Sequence, residues 1–197
     1  MSLQTHSFGD IVFELGGDYQ YHNANTILTA ARQLQAMGFG ITAKEVAKGM
    51  GTVCRSTGLQ GRWQTLSHAP TVVCDTGHNV AGWQYLSSQI RAQSYRTLRM
   101  VFGMVDDKDL DTVLTLLPKD ATFYFTQAST HRAVPSEVVA QKAANNALQG
   151  TIYNNVYAAY KAALSDAEKD DFIFVGGSSY VVADLLSNLK MCSEKTK

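Results

Sequence analysis

Short apolar runs alternate with segments of helical periodicity along most of this chain. Apolar runs bounded by turn residues are typical of buried strands, and apolar residues spaced three or four positions apart are typical of amphipathic helices. Since each run from residue 71 onward precedes a helical segment, the pattern predicts βαβ units in an α/β fold, with a mostly parallel sheet and helices on both faces. Strands are predicted at 71–75, 97–102, 121–126, 151–153 and 171–175, and helices at 80–93, 108–117, 135–147, 156–165 and 178–190.

The opening of the chain has a different organisation. Residues 10–15 form an apolar run ended by two glycines, which predicts a strand. Asn23 or Asn25 is expected to cap a helix that ends at Met37, because the apolar residues between them recur at helical spacing.

A second helix is predicted over 43–50. Thr42 is followed three residues later by Glu45, which is the spacing of a capping box. One strand and two helices are too few to close a hydrophobic core, so we expect this opening to be the end of a larger domain.

Residues 51–61 are polar and contain glycine, and we place a domain boundary there. The predicted domains are therefore 1–57 and 58–197, with residues 1–3 set aside as a possible leader.

Composition excludes several classes of protein. The 197 residues are 45% hydrophobic with a formal charge of zero, which argues against nucleic-acid binding. Three widely spaced cysteines suggest neither a disulfide framework nor a zinc site and fit a reducing compartment. No apolar run approaches the roughly 20 residues of a membrane span, and the first residues do not resemble a signal peptide. We expect a cytoplasmic protein without a membrane partner.

Candidate chemistry is concentrated between residues 61 and 79. The predicted strand 71–75 ends in Asp75 and is followed by His78 and Asn79. Ligands of open α/β sheets lie at the carboxyl ends of strands, so these side chains are expected to face a ligand, with Arg62 as an anion partner. The alternatives are that Asp75 caps the next helix, that His78 is merely solvated, and that Arg62 lies on the surface beside Trp63.

Three later strand-end loops carry weaker candidates. Lys108 could bind a carboxylate, or it could belong to a solvated charge run that opens a helix. Arg132, beside His131, could bind an anion, with a similar alternative. Ser178 precedes a helix whose free amides would suit an anion, but simple capping explains it equally well.

Several familiar motifs are absent or misleading. The sequence has no G-x-x-x-x-G-K-[ST] phosphate loop, no G-x-G-x-x-G after a strand and no metal-ligand spacing of His and Cys. Residues 72–77 imitate the Asp-Thr-Gly of aspartic proteases, but that class is all-β and needs a second Asp.

In combination, the motifs resemble a known family. The matching motifs are Gly61-Arg62-Trp63, Asp75-Thr76-Gly77-His78-Asn79-Val80, Asp107-Lys108-Asp109, Arg132-Ala133 and Gly177-Ser178. Their order is that of the bacterial folylpolyglutamate synthase/dihydrofolate synthase family, a branch of the Mur ligase superfamily. Upstream, residues 17–23 are similar to the family's Gly-x-His-Gln-x-x-Asn. Thr76, Gly77, Val80 and Tyr19 replace the family's Gly, Ala, Pro and His.

The resemblance implies a fold and an activity. It implies a Rossmann-like Mur ligase C-terminal domain at 58–197, preceded by the tail of a P-loop ATPase domain. It also implies an ATP-dependent ligase that joins L-glutamate to dihydropteroate or a reduced folate through an acyl phosphate. ATP and Mg²⁺ would be the cofactors, and most of the metal ligands would lie in an N-terminal domain of the same protein. This chain alone would be inactive.

The resemblance also assigns roles to residues. Asn23, Arg62 and Asp75 would contact ATP, and His78 would lie near the phosphates or the reacting centre as a catalytic residue. Lys108 and Ser178 would bind the glutamate carboxylates.

Two other functions stay open on the sequence. One is a different Mur-type ligase, acting on a peptidoglycan precursor or on cyanophycin. The other is a nucleotide-binding or protein-interaction module without chemistry.

Overall fold

A computed structural model describes residues 1–106 and 108–194 of the chain, and the side chains of 193 and 194 are not described. Asp107, part of the Asp-Lys-Asp match, therefore lies outside the described residues. The chain divides into two compact units, Met1–Trp63 and Gln64–Lys197. The division comes a few residues after the predicted domain boundary. Each unit is described by itself.

The first unit combines a small antiparallel hairpin with three helices. Its elements are β1 (Ser2–Thr5), β2 (Gly9–Val12), α1 (Gln20–Ala36), α2 (Ala43–Gly51) and α3 (Val53–Thr57). Ile11, Phe13, Ala24 and Met50 are buried in its core. The Thr42–Glu45 capping box is present at the start of α2, as predicted.

Residues 2–5 form β1, which pairs with β2. The predicted start of the first helix is wrong. The helix α1 begins at Gln20, before either predicted cap, and Asn23 lies in its first turn, where its side chain donates a hydrogen bond to Gln20 Oε1 at 2.9 Å. Residues 53–57 form the short helix α3, inside the polar segment 51–61.

The second unit is a six-stranded sheet flanked by helices. Its strands are β3 (Gln64–His68), β4 (Thr71–Asp75), β5 (Leu98–Phe102), β6 (Thr122–Phe125), β7 (Gly150–Ile152) and β8 (Phe172–Gly176). Its helices are α4 (Val80–Arg91), α5 (Leu110–Leu116), α6 (Ser136–Ala144), α7 (Val156–Ser165) and α8 (Ser179–Glu194). The strand order is β3-β4-β8-β5-β6-β7, and every pairing is parallel except that of β3 with β4.

Both faces of this sheet are covered, which explains why its central strands are apolar at successive positions. On one face, Val101 and Val175 pack with residues of α7 and α8 in a single buried cluster. On the other, the fully buried Trp83 of α4 makes edge contacts with Phe102 and Phe174. The predicted α/β fold with a mostly parallel sheet is confirmed.

The differences in this unit are local. The antiparallel edge strand β3 was not predicted, because its residues alternate between polar and apolar only weakly. The helix α5 begins at Leu110 rather than at Lys108, since the Asp109 side chain accepts a hydrogen bond from the Thr112 amide at 3.0 Å and so caps it. No helix among the described residues is long and apolar enough to cross a membrane.

Candidate functional site

The register of the sheet brings five strand ends to one edge. Asp75 of β4 lies opposite Gly176 of β8, which lies opposite Phe102 of β5, and the level continues to Phe125 and Ile152. The loops that follow these strands therefore leave the sheet side by side. In open parallel sheets this carboxyl edge is where ligands bind.

The loop after β4 holds its polar side chains in defined positions. Asp75 is fully buried, and its Oδ1 accepts a hydrogen bond from the Gly77 amide at 2.8 Å. Asn79 Oδ1 accepts one from the Gly82 amide at 2.8 Å and caps α4. The alternative that Asp75 caps α4 is therefore wrong, because Asn79 does so.

His78 is oriented by the backbone of its own loop. Its Nδ1 lies 3.0 Å from the Thr76 carbonyl oxygen, which can only accept a hydrogen bond. In the neutral imidazole the proton is thereby assigned to Nδ1, and Nε2 carries the lone pair. His78 is half-buried, so Nε2 is the nitrogen available for an external partner.

Asp75 lies beside an unreactive thiol. Cys74 is completely buried, and burial, together with the charge of Asp75, raises the pKa of its thiol to about 12. Such a thiol stays protonated at neutral pH and is a poor nucleophile. Cys74 is therefore a packing residue rather than a catalytic one.

Glycines let the strand ends approach one another closely. Gly177 has a φ of +104°, and a Cβ placed there would overlap the carbonyl oxygen of Gly103. A Cβ on Gly103 would in turn overlap the carbonyl oxygen of Thr126. Small residues therefore keep the edge compact at the junction of β8, β5 and β6.

The loops after β5 and β6 are tied together by their backbones. The Asp106 amide donates to the Arg132 carbonyl at 2.9 Å, and the Val134 amide donates to the Met104 carbonyl at 3.0 Å. Between these bonds, residues 105 and 133 form an antiparallel bridge. Residues 104–106 and 132–134 therefore hold the loop after β5 and the loop after β6 together.

The loop after β6 is also attached to α8. The amide and the hydroxyl of Ser129 donate hydrogen bonds of 2.7 and 2.8 Å to the two carboxylate oxygens of Asp184. The Arg132 guanidinium lies over the Tyr180 ring, 5.8 Å from its centre, and donates to its hydroxyl at 3.4 Å. Sequence reasoning missed Asp184 and Tyr180, because a polar or aromatic residue on one helix face carries no sign of its partner loop.

Lys108 and Ser178 differ in what their surroundings allow. Lys108 is half-buried in the loop between β5 and α5. Ser178 is 1% exposed, and its hydroxyl accepts a hydrogen bond from the Val181 amide at 3.2 Å. Its observed role is thus to cap α8, which was the simpler of the two interpretations.

The remaining two site candidates lie in the first unit. Arg62 stands between Gly61, with φ +74°, and Trp63, with φ +45°. The left-handed conformation is uncommon for a residue such as tryptophan and often marks functional segments. Trp63 packs on Gly16, where a Cβ would lie 3.3 Å from its Cδ1. Asn23 is exposed on α1.

The structure thus places Asp75, His78, Lys108 and Ser178 on adjacent loops at one edge of the second unit. A hollow of about 330 Å³ opens instead beside His68, at the amino ends of the strands. We place the candidate site at the carboxyl edge, because the chemically suited side chains meet there. No group of three or more His, Cys, Asp or Glu among the described residues could hold a metal ion.

A family model for the Mur ligase glutamate ligase domain matches residues 61–179, well over half of the chain. The chain belongs to this family. The match begins at Gly61, so the Gly-Arg-Trp segment falls inside it, as do the loops of the carboxyl edge. The predicted membership of the Mur ligase superfamily is confirmed.

Relatives of this Mur ligase domain carry folate-related names. A dihydrofolate synthase/folylpolyglutamate synthase of Buchnera aphidicola (Schizaphis graminum) is 32% identical over 66% of this chain and 31% of its own length. One of Escherichia coli K12 is 29% identical over 83% of this chain and 37% of its own. The chain thus spans about a third of the length of these curated relatives.

A solved structure agrees with this assignment. The folylpolyglutamate synthase of Mycobacterium tuberculosis, complexed with ADP, is 26% identical and superimposes with a TM-score of 0.76. The match covers 95% of this chain and 44% of that one. The similarity therefore extends over the first unit as well as the Mur ligase domain.

Proposed function

We propose that this chain is the C-terminal part of an ATP-dependent ligase that joins L-glutamate to dihydropteroate or a reduced folate. In this reaction a carboxylate of the pterin substrate attacks the γ-phosphate of ATP and forms an acyl phosphate. The glutamate amine then displaces phosphate and forms the amide. Catalysis of such a transfer depends mainly on positioning and on stabilising the charge of the phosphoryl group.

The observation that carries the proposal is the loop after β4. It presents a buried carboxylate, an oriented imidazole and a capped helix start at the carboxyl edge of a glutamate ligase domain. Relatives named dihydrofolate synthase/folylpolyglutamate synthase, and a similar structure complexed with ADP, support the folate branch and the nucleotide.

Three residues are assigned to ATP. Asp75 would accept a hydrogen bond from a ribose hydroxyl at the carboxyl edge, where the Gly77 amide fixes the orientation of its carboxylate. Arg62 would pair with an anionic part of the nucleotide, for which its planar, permanently charged guanidinium is suited. Asn23 would contribute an amide from the first turn of α1.

Three further residues are assigned to the reaction and to glutamate. His78 would face the phosphates or the reacting centre through Nε2. Lys108 would bind a glutamate carboxylate as a point charge on a loop that the Arg132 segment supports. Ser178 would assist through the amide-rich start of α8, while its hydroxyl caps that helix.

Mg²⁺ is the expected companion of ATP in this chemistry. The described residues offer no cluster of carboxylates or histidines that fits such an ion. The metal ligands would therefore come from the part of the longer protein that precedes this chain, and we expect no turnover by this chain alone. A P-loop ATPase domain ending near residue 57 is the proposed source.

The test uses the longer protein that contains this chain. It is incubated with ATP, Mg²⁺ and labelled glutamate, with dihydropteroate and tetrahydrofolate offered in parallel. We expect label in at least one pterin. Asp75→Asn should raise the KM for ATP about tenfold or more, because the amide no longer accepts at both oxygens; each tenfold change corresponds to about 1.4 kcal/mol.

Asp109→Asn is the matched control, because Asp109 also lies at this edge and its side chain caps α5, which an asparagine can also do. It should leave the KM for ATP unchanged. If a folded protein that binds ATP incorporates label into neither pterin, the acceptor would instead be that of another Mur-type ligase. Absence of ATP binding would favour a protein-interaction module without catalytic activity.

A further inference from the structure

The loop between β6 and α6 is attached to α8 by two hydrogen bonds to a carboxylate, although both bonds are exposed to solvent. Asp184 accepts two hydrogen bonds from Ser129, one from the amide and one from the hydroxyl. Hydrogen bonds to an ionised acceptor are shorter and roughly twice as strong as neutral ones. The two contacts fix both the backbone and the side chain of one loop residue, and they join positions 55 residues apart in sequence.

This attachment continues through the backbone to a second loop. The Ser129 loop is bonded to the loop after β5 by the Asp106–Arg132 and Val134–Met104 hydrogen bonds. A displacement of the first loop would therefore be transmitted to residues 104–106, in the loop that also carries Lys108. The same helix, α8, begins directly after Ser178.

We propose that Asp184 is a positioning residue for the glutamate subsite, acting through Ser129 on the coupled loops that carry Arg132 and Lys108. The inference rests on the proposed function. Asp184 would act without contacting substrate or nucleotide. Its carboxylate would hold the Ser129 loop against α8 and so help to set the position of the loops that bind glutamate.

The alternative is that the contact only adds stability. A purely structural role would lower the free energy of unfolding without distinguishing between substrates. A positioning role predicts a selective effect on glutamate, because the hydrogen bonds of Asp75 Oδ1 and of the His78 imidazole described above lie within the loop after β4 itself.

The test compares kinetic constants in the longer protein. Asp184→Ala should raise the KM for glutamate about tenfold while the KM for ATP changes less than about twofold, as expected for the loss of one charged contact. Ser129→Ala retains the amide bond, so its effect should be smaller and should nearly vanish in the Asp184→Ala background. In the unliganded protein, hydrogen exchange at the Ser129 amide should accelerate in Asp184→Ala.

Asn188→Ala is the matched control. Asn188 lies one turn further along α8 and donates a hydrogen bond to the Asp184 carbonyl rather than to the loop. It should leave the KM for glutamate unchanged. An unchanged glutamate KM in Asp184→Ala, or equal increases for glutamate and ATP, would overturn the inference. A wild-type protein that incorporates no glutamate would overturn the proposed function and this inference together.

Discussion

The two edges of the six-stranded sheet hold their charged side chains in different ways. At the amino edge, a buried carboxylate and the arginines around it are paired with one another. Asp171 has a completely buried side chain and accepts hydrogen bonds from Arg96 and Arg99 at 3.3 and 3.0 Å. Arg99 also donates to the Tyr124 hydroxyl, which in turn donates to Asp166 at 2.8 Å.

At the carboxyl edge, glycines and helix caps take the place of such a network. The caps of α4 and α5 are single short side chains, and the strand ends meet through Gly103 and Gly177. Asp75, which is as buried as Asp171, lies in this setting with a backbone amide as one partner. The charges of the amino edge are thus paired with one another in the structure, whereas those of the carboxyl edge belong to the proposed ligand site.

The largest expected effect comes from the packing of the carboxyl edge. Gly177→Ala introduces a methyl group against the Gly103 carbonyl at a φ of +104°. We expect a loss of about 3 kcal/mol or more in the free energy of unfolding, measured by urea denaturation. Gly49→Ala is the control, since its Cβ would meet nothing within 4 Å inside α2 and should be neutral or stabilising. Equal losses in both variants would contradict the packing argument.

Loss of a charged contact at the amino edge should lower the free energy of unfolding nearly as much. Asp171→Asn leaves the Arg99 guanidinium without its carboxylate, while Arg96 is largely exposed and suffers less. We expect a loss of about 2 to 3 kcal/mol at pH 7, measured by urea denaturation. Asp111→Asn, which breaks the exposed ion pair with Lys142, should cost less than about 1 kcal/mol.

The contribution of Asp171 should also depend on pH. Burial alone would raise the pKa of this carboxyl, but the Glu168 amide and the guanidinium groups of Arg99 and Arg96 outweigh it and lower the pKa below its ordinary value. A depressed pKa in the folded state contributes stability above the unfolded pKa of about 4, and this is lost as the pH falls through the folded value. The difference between wild type and Asp171→Asn should therefore shrink as the pH falls below about 4. A constant difference would show that the ionised form is not what stabilises the edge.

The smallest expected effect separates stability from function within the carboxyl edge. Asn79 and Asn155 both accept a backbone hydrogen bond at 2.8 Å and cap α4 and α7. Replacing either by alanine should cost about 1 kcal/mol in unfolding experiments. Only Asn79→Ala, which loosens the loop of Asp75 and His78, should also weaken ATP binding in the longer protein. The same ATP affinity in both variants would show that the loop needs no cap to bind the nucleotide.

Sequence patterns predicted the strands and helices of the second unit well, because their spacing depends on burial. The strand at Thr71–Asp75 and the helix at Val156–Ser165 were placed with their observed bounds. The edge strand β3 escaped prediction, since a strand exposed on one side gives a weak pattern. The starts of α1 and α5 were misplaced because nearby polar residues compete as caps, and only the backbone geometry decides between them.

The site was predictable where chemistry lies next to a strand end. Asp75 ends β4 and His78 lies three residues later, so their location at the carboxyl edge could be inferred from the fold class. The support of that edge was not predictable, because Asp184 meets Ser129 only after the chain has passed through α6, β7, α7 and β8. The roles of Asn23 and Arg62 in nucleotide binding stay predictions.

The buried thiol of Cys74 has a practical consequence. Cys192 is exposed and Cys54 is half-buried, whereas Cys74 lies inside β4 with its pKa raised to about 12. A thiol reagent at neutral pH can modify Cys74 only when the sheet opens and the thiol regains an ordinary pKa. In a protein whose other two cysteines are replaced by serine, the labelling rate of Cys74 would therefore measure how often the strand that ends in Asp75 opens. No probe would have to be added to the site itself.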